Sequence, residues 1–219
     1  MTVPLRILIT GFGPFPGAPY NPTPALLARL VKLRRPALSE IDLIGAVFPV
    51  SYAAVDRELP QLIARHRPDA LLMFGLAART PYLRIERRAR NAVTMLWPDA
   101  AHARGRSASI LRGAEARMFG PHSEKLLRAA RATGLDARGS RDAGRYLCNY
   151  LCWRALEATD RADGPCLAAF VHVPLTARPG AAHDHGASRI TAEQLVDAGE
   201  AVLLELVAQA RRARLSHPR

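Results

Sequence analysis

Apolar and polar positions along this chain alternate between two rhythms. The runs LRILITG (5–11), IDLIGAVFPV (41–50) and DALLMFG (69–75) are short and nearly all apolar, the pattern of strands buried on both faces. Between them, NPTPALLARLVKLRR (21–35) carries Leu26, Leu27, Leu30 and Val31 at helical spacing behind its prolines. YAAVDRELPQLIARHRP (52–68) is also helical in pattern, and Pro60 is expected to break it or to start a new turn. Such β-α-β-α-β alternation predicts an α/β fold, a mainly parallel sheet with helices on both faces.

The second half is less regular. PYLRIERRARNAVT (81–94) reads as extended and AHARGRSASILRGAE (101–115) as loop, and SEKLLRAARATG (123–134) is a helix closed by Gly134. A short strand near Leu135–Arg138 leads into a helix over 145–158. CLAAFVHVPL (166–175) is a further strand cut off by Pro174. The last helix starts at Thr191, with Thr191 and Gln194 in capping-box spacing, and runs to about Ala213. With no internal repeat and no long linker, residues 1–219 are expected to form one domain.

Composition narrows the class. Hydrophobic residues make up 49% of the 219, enough for a core. No run approaches the roughly 18 apolar residues of a membrane helix. Pro4 and Arg6 interrupt any signal-peptide layout. The expectation is a soluble cytoplasmic protein without a membrane partner, whose three cysteines are free thiols. Lys and Arg number 31 against 19 Asp and Glu, a net charge of +12, and only Lys32 and Lys125 are lysines. That balance raises nucleic acid as a partner. However, the arginines are spread from Arg6 to Arg219 and no helix-turn-helix, zinc-finger or RNP motif accompanies them. They read as a solvated surface, and nucleic acid is not expected.

The candidate chemistry lies where strands end, the usual ligand position in open α/β sheets. Cys148 and Cys152, four residues apart on one helix, admit several readings: a metal pair, a redox pair, two buried thiols, or a nucleophile beside a packing residue. Zinc pairs prefer shorter spacing or a second pair, the nearest His-rich stretch is HDH (183–185) in a Gly-rich loop, and a CxxC motif is absent. Cys148, near the helix start, feels the positive end of the dipole, which favours a thiolate. Cys152, a turn deeper, reads as an inert packing thiol. His172 sits just before the strand-ending Val-Pro, near the rim. In extended backbone Arg84, Glu86 and Arg88 share a face, so two cations are expected to flank the carboxylate. Taken singly, each of these residues has an ordinary structural reading: Cys148 as a small buried hydrophobe, His172 as a satisfied strand histidine, Glu86 as part of a solvated edge.

Together the segments resemble a family. TGFGPFPGAPYNPT (10–23), GLAARTPYLRIERRARN (75–91), AGRYLCN (143–149) and FVHVP (170–174) are similar to the four signature blocks of the pyroglutamyl peptidase I cysteine peptidases, in the same order and spacing. The resemblance implies an α/β/α sandwich around a twisted sheet and removal of an N-terminal pyroglutamyl residue from peptides. It implies no cofactor and no metal, and it carries the family's tetrameric assembly as an expectation of homo-oligomerisation. By position it makes Glu86, Cys148 and His172 the catalytic residues, and Phe12, Phe15, Asn21 and Leu76 the substrate-binding ones. The phenylalanines would wall a lactam pocket, and Asn21 would fix that loop or reach the lactam.

Some positions depart from the family blocks. Ala78-Arg79-Thr80 replaces a double Gly-Arg, Arg145 replaces a threonine, and TMLWPDAAHARG replaces a longer conserved run. Leu96 stands where the family has an arginine serving the oxyanion, and Arg79 and Arg90 are the arginines near enough in sequence to cover for it. These changes bear on rate and substrate range. A second reading is a binding protein that holds an acidic partner or nucleic acid on its basic RIERRAR face.

Overall fold

A computed structural model describes residues 4–14, 17–177 and 190–216. The five alternating segments of the first half become β1 (Leu5–Phe12), α1 (Thr23–Leu30), β2 (Ile41–Phe48), α2 (Tyr52–His66) and β3 (Ala70–Leu76). Beyond them come β4 (Leu83–Glu86), β5 (Arg88–Ala89), β6 (Arg117–Met118), α3 (His122–Ala132), β7 (Ala137–Ser140), α4 (Leu147–Thr159), β8 (Leu167–Val173) and α5 (Ala192–Ser216). Six strands form one sheet in the order β2-β1-β3-β8-β4-β7. β1, β2, β3 and β8 run parallel; β4 is antiparallel to β8 and parallel to β7, so the last two strands run the other way. β5 and β6 make a separate antiparallel ribbon.

Strand alternation divides the core into two layers. Ile7, Ile9, Leu72, Phe74, Val171 and Val173 point to the layer that packs α1, α3 and α5. Leu8, Phe12, Leu71, Met73, Ala168 and Phe170 point to the layer holding Trp153 and the apolar side of α4, with α2 beside it. Helices therefore cover both faces, the expected α/β arrangement. β3 is buried at every position because both layers claim it.

Local chemistry explains most element ends. Thr191 N–H donates to Gln194 Oε1 (2.9 Å) and Gln194 N–H to Thr191 Oγ1 (3.1 Å), a complete capping box before α5. Gly134, at φ +83°, closes α3 in the left-handed conformation that side chains disfavour. Pro60 neither breaks nor restarts α2: it lies inside the helix on its exposed side, where water can serve the Asp56 carbonyl it leaves unpaired. The extended segment at 81–94 is divided. The chain turns at Arg87, so Arg88 leaves the main sheet for the ribbon. Among the described residues no helix is long and apolar enough to cross a membrane.

Candidate active site

Glu86, His172 and Cys148 come together on the sheet face that carries α4. His172 projects from β8, Glu86 ends β4, and Cys148 is the second residue of α4. The β4–β8 register sets Arg84 opposite His172, so Glu86, two residues on and on the same face, lies diagonal to the imidazole. His172 Nδ1–H donates to Glu86 Oε1 at 2.7 Å, which leaves Nε2 as the ring nitrogen available to Cys148. Arg84 holds the same carboxylate oxygen through Nη2 (2.8 Å) and Nε (3.1 Å), and Nη2 also reaches Ser140 Oγ and the Asp142 carbonyl. The expected second cation, Arg88, makes no ion pair with Glu86 among the described residues: it belongs to the ribbon, and its Nε donates to the Arg141 carbonyl in the turn after β7.

Charges here are buried and mutually supported. Burial alone would push the Glu86 carboxyl up, but the hydrogen bond and charge of His172, with Arg84, hold it below the usual range. Burial pulls His172 down. The charge and hydrogen bond of Cys148 and those of Glu86 outweigh it, and the imidazole is pushed up to about 9. Burial pushes the Cys152 thiol well up, and that residue is fully enclosed in the apolar layer, a packing thiol.

Gly75 makes room for the Cys148 sulfur, and motif spacing alone did not single it out. A Cβ there would lie 2.7 Å from Cys148 Sγ and 2.7 Å from Phe170 Cζ. Gly75 is also the register partner of His172. The Phe170 ring sits edge-on to the imidazole with centroids 4.9 Å apart, limiting its rotation. A glycine inside an otherwise apolar strand was the available signal.

The start of α4 is open. Its N-cap, Tyr146, supplies no side-chain cap, and the first intrahelical bond runs from Tyr150 N–H to the Tyr146 carbonyl (3.0 Å). The first-turn N–H groups, that of Cys148 among them, carry no capping side chain and can meet an anion formed at the sulfur. Two motif asparagines hold the surroundings in place. Buried Asn149 accepts from Arg90 N–H (2.8 Å) and donates to the Arg90 and Ala92 carbonyls (2.8 and 3.0 Å), clamping the ribbon to the helix start. Asn91 accepts from Ile110 and Leu111 N–H and donates to the Leu111 and Ala114 carbonyls, closing the next loop.

The binding residues expected on the β1 side are placed as follows. Phe12 is buried in the same apolar layer that Cys148 touches, its ring 6.1 Å from that of Phe48. Asn21 uses both amide hydrogens on the Phe12 and Gly13 carbonyls (2.8 and 3.1 Å) and accepts from Thr23 N–H (3.0 Å), so its side chain fixes the loop. Leu76 turns its side chain to the opposite layer by strand alternation. Ala77 N–H donates to the Val173 carbonyl, so the peptide groups of Leu76 itself face β1, whose pairing with β3 ends at Thr10 and Met73. Phe15 and the HDH stretch lie outside the described residues.

The positions that depart from the family blocks lie at the margin. Leu96 is 78% exposed. Arg90 Nη1 is tied to Asp142 Oδ2 at 2.9 Å. Arg79 is exposed in the turn at 77–80, which the bond from Thr80 N–H to the Ala77 carbonyl closes.

Comparison with known proteins gives matches over most of the chain. The family model for pyroglutamyl peptidase matches residues 5–209. The pyrrolidone-carboxylate peptidase of Thermococcus kodakarensis is 31% identical over 173 residues, covering 78% of this chain and 82% of that one. Its counterpart in Pyrococcus furiosus is 29% identical over 171 residues, 78% and 81% of the two chains. Among solved structures, pyrrolidone carboxyl peptidase from Thermococcus litoralis superposes with a TM-score of 0.81 at 26% identity over 98% of this chain and 96% of that one. The enzyme from Fervidobacterium islandicum gives 0.82 at 28% identity, over 92% and 98%.

Proposed function

We infer the reaction from one premise: the chain belongs to the pyroglutamyl peptidase family. It is a cysteine peptidase that hydrolyses the amide bond after an N-terminal pyroglutamyl residue. Cys148 is the nucleophile, His172 the general base and then acid, and Glu86 the residue that orients and charges the imidazole. The observation that carries this assignment is the 2.7 Å bond from His172 Nδ1 to Glu86, with the Cys148 sulfur packed over Gly75, the register partner of His172.

His172 Nε2 takes the thiol proton, and the thiolate attacks the lactam-bearing carbonyl carbon. The carbonyl electron pair moves to oxygen, where Cys148 N–H and its neighbours in the first turn of α4 stabilise it. Collapse breaks the C–N bond, and the imidazolium gives its proton to the departing amine. Water, deprotonated by His172, then hydrolyses the thioester to release pyroglutamate and restore the thiol. A flat, uncharged lactam would sit between Phe12 and the peptide edge of Leu76, beyond the last β1–β3 pair, while a free α-ammonium would enter unpaired and be rejected. The subunits assemble as homo-oligomers, as family membership suggests.

The test is release of a fluorogenic amine from its pyroglutamyl amide, with prolyl and glutaminyl amides as charged competitors. Turnover of the pyroglutamyl amide alone, lost by a factor of at least about 10³ in Cys148→Ser, is expected. Equal turnover of prolyl amide would overturn the pocket assignment.

A further inference from the structure

We propose that this enzyme selects pyroglutamyl peptides that carry a carboxylate just beyond the scissile bond. The inference rests on the pyroglutamyl peptidase reading and names its substrate class. The sheet order gives the direction of the bound peptide. β8, with His172, stands between β3 and β4. The Phe12 and Asn21 loop lies on the β1 side, so the acyl half of the substrate occupies that side. His172 must protonate the departing amine, which puts the rest of the peptide on the β4–β7 side.

That side includes 76–94 and 141–148, segments holding seven arginines and two carboxylates. Both carboxylates are taken: Glu86 by His172 and Arg84, Asp142 by Arg90 and by Gly144 N–H. Arg87 pairs with Glu124 at 2.7 Å and Arg88 with the Arg141 carbonyl. Three guanidinium groups remain, those of Arg79, Arg141 and Arg145. All three are exposed, and none has an ion pair or side-chain hydrogen bond among the described residues.

Their placement is specific. Arg79 rides the connection from β3 to β4, which crosses the carboxyl end of β8. Arg141 and Arg145 flank the turn that feeds α4, with Arg145 three residues before Cys148. Gly144 at φ +87° and the bond from its N–H to Asp142 Oδ1 (2.9 Å) set that turn. Arg145 is further held through its carbonyl, which accepts from Thr94 N–H at 2.6 Å, so its backbone is fixed while its side chain is exposed. Three cations with no ion pair among the described residues, on the leaving-group side of His172, form an electrostatic funnel for an anionic peptide. The carboxylate can be the side chain of an acidic second residue or the free C-terminus of a dipeptide.

The experiment measures kcat and KM at low and high salt for four substrates: pyroglutamyl-alanine amide, pyroglutamyl-glutamate amide, pyroglutamyl-alanine with a free carboxylate, and a neutral pyroglutamyl fluorogenic amide. A carboxylate is expected to raise kcat/KM by roughly three- to tenfold, mainly through KM, and added salt should erase the gain. The second and third substrates distinguish side-chain from terminal carboxylate. In Arg79→Ala/Arg145→Ala the ratio of acidic to neutral substrate should fall toward one, and in Arg145→Glu it should invert. A ratio near one in the wild type, or an unchanged ratio in the double variant, overturns the proposal while leaving the peptidase reading intact. A loss confined to kcat and equal on all substrates would instead make these arginines oxyanion donors. Failure to cleave any pyroglutamyl substrate overturns both inferences.

Discussion

The centre of the site and its lip are built on opposite principles. At the centre, Glu86, His172 and Cys148 come from a strand end, a strand and a helix start, and regular hydrogen bonding fixes each backbone. Their charges are buried and partnered. At the lip, residues 94–115 contain no helix or strand and expose Leu96 at 78% and Trp97 at 64%. A few side-chain staples hold this loop. Asp99 accepts from Tyr52 N–H (3.0 Å) and from Ala101 and Ala103 N–H (2.9 Å each). Tyr146 O–H donates to the Pro98 carbonyl (2.8 Å), and Asn91 ties down the far end. The centre thus owes its geometry to the sheet, and the lip to single residues. Changes at the centre should cost chemistry, while changes at the lip should cost local order first.

The largest effect is expected at the centre. His172→Ala should lower kcat by roughly 10²–10⁴, since it removes both proton transfers. Glu86→Gln should cost less, because the amide oxygen still accepts from Nδ1–H while no longer supporting the cation. The double variant should be little worse than His172→Ala, as members of one unit are not additive. Unchanged kinetics in either single variant would remove that residue from the site.

A pH profile sharpens the same contrast. With His172 raised to about 9, the alkaline limb of kcat/KM should lie near that value in the wild type. Glu86→Gln should move the limb to lower pH, and each unit moved costs about tenfold in imidazolium above it. Stability follows with a definite sign. His172 has a folded value above its ordinary 6.5, so the stability it contributes is full below about 6.5 and is lost as pH rises through about 9. Glu86 is held below its ordinary 4.5, so its contribution is present above that value and is lost as pH falls through the lowered one. Melting temperature against pH should therefore drop on both sides in the wild type, with Glu86→Gln flattening the acid side. Lip substitutions should leave this shape alone.

At the lip, Asp99→Ala would strand three backbone donors, a cost of about 1–3 kcal/mol. Part of that cost should appear as faster hydrogen exchange confined to 98–104 and the start of α2, with global melting shifted by a few degrees. Protection lost evenly across the sheet would show that the loop is integral to the core.

The same contrast explains what could be read from the sequence. Strands and helices of the first half were legible because buried elements impose periodicity on side chains. The capping box at Thr191 was legible because it needs two residue types at one spacing. Glu86, Cys148 and His172 could be named as candidates because their chemistry restricts residue type, and the fold brings the three side chains together. Arg88 was misplaced because a turn at Arg87 leaves no trace in hydrophobic pattern. Leu76 could be placed at the site from its block, but the direction of its side chain depends on strand parity counted from neighbouring strands. The roles of Asn149 and Asn91, and the bond of Asp99 to Tyr52 N–H, lie in long-range bonds to backbone, which no local pattern encodes. Gly75 alone gave a readable hint, a glycine within a strand buried throughout.

The smallest effect is expected from Leu96→Arg, and it discriminates most finely between centre and lip. If Leu96 marked a missing oxyanion donor, restoring a guanidinium there would raise kcat by up to about 10²–10³. Such a gain requires the side chain to reach the sulfur from a low-dielectric position. Leu96 instead points to solvent, and its backbone N–H is held only by Thr94 Oγ1 at 3.3 Å. An arginine there would be hydrated and screened, while the uncapped first turn of α4 already offers N–H donors beside Cys148. The expected change in kcat on a neutral pyroglutamyl amide is therefore less than about threefold, with a modest fall in KM for carboxylate-bearing peptides from the added positive charge. A rise of a hundredfold would mean that the loop folds over the substrate during turnover and that the lip belongs to the catalytic centre after all.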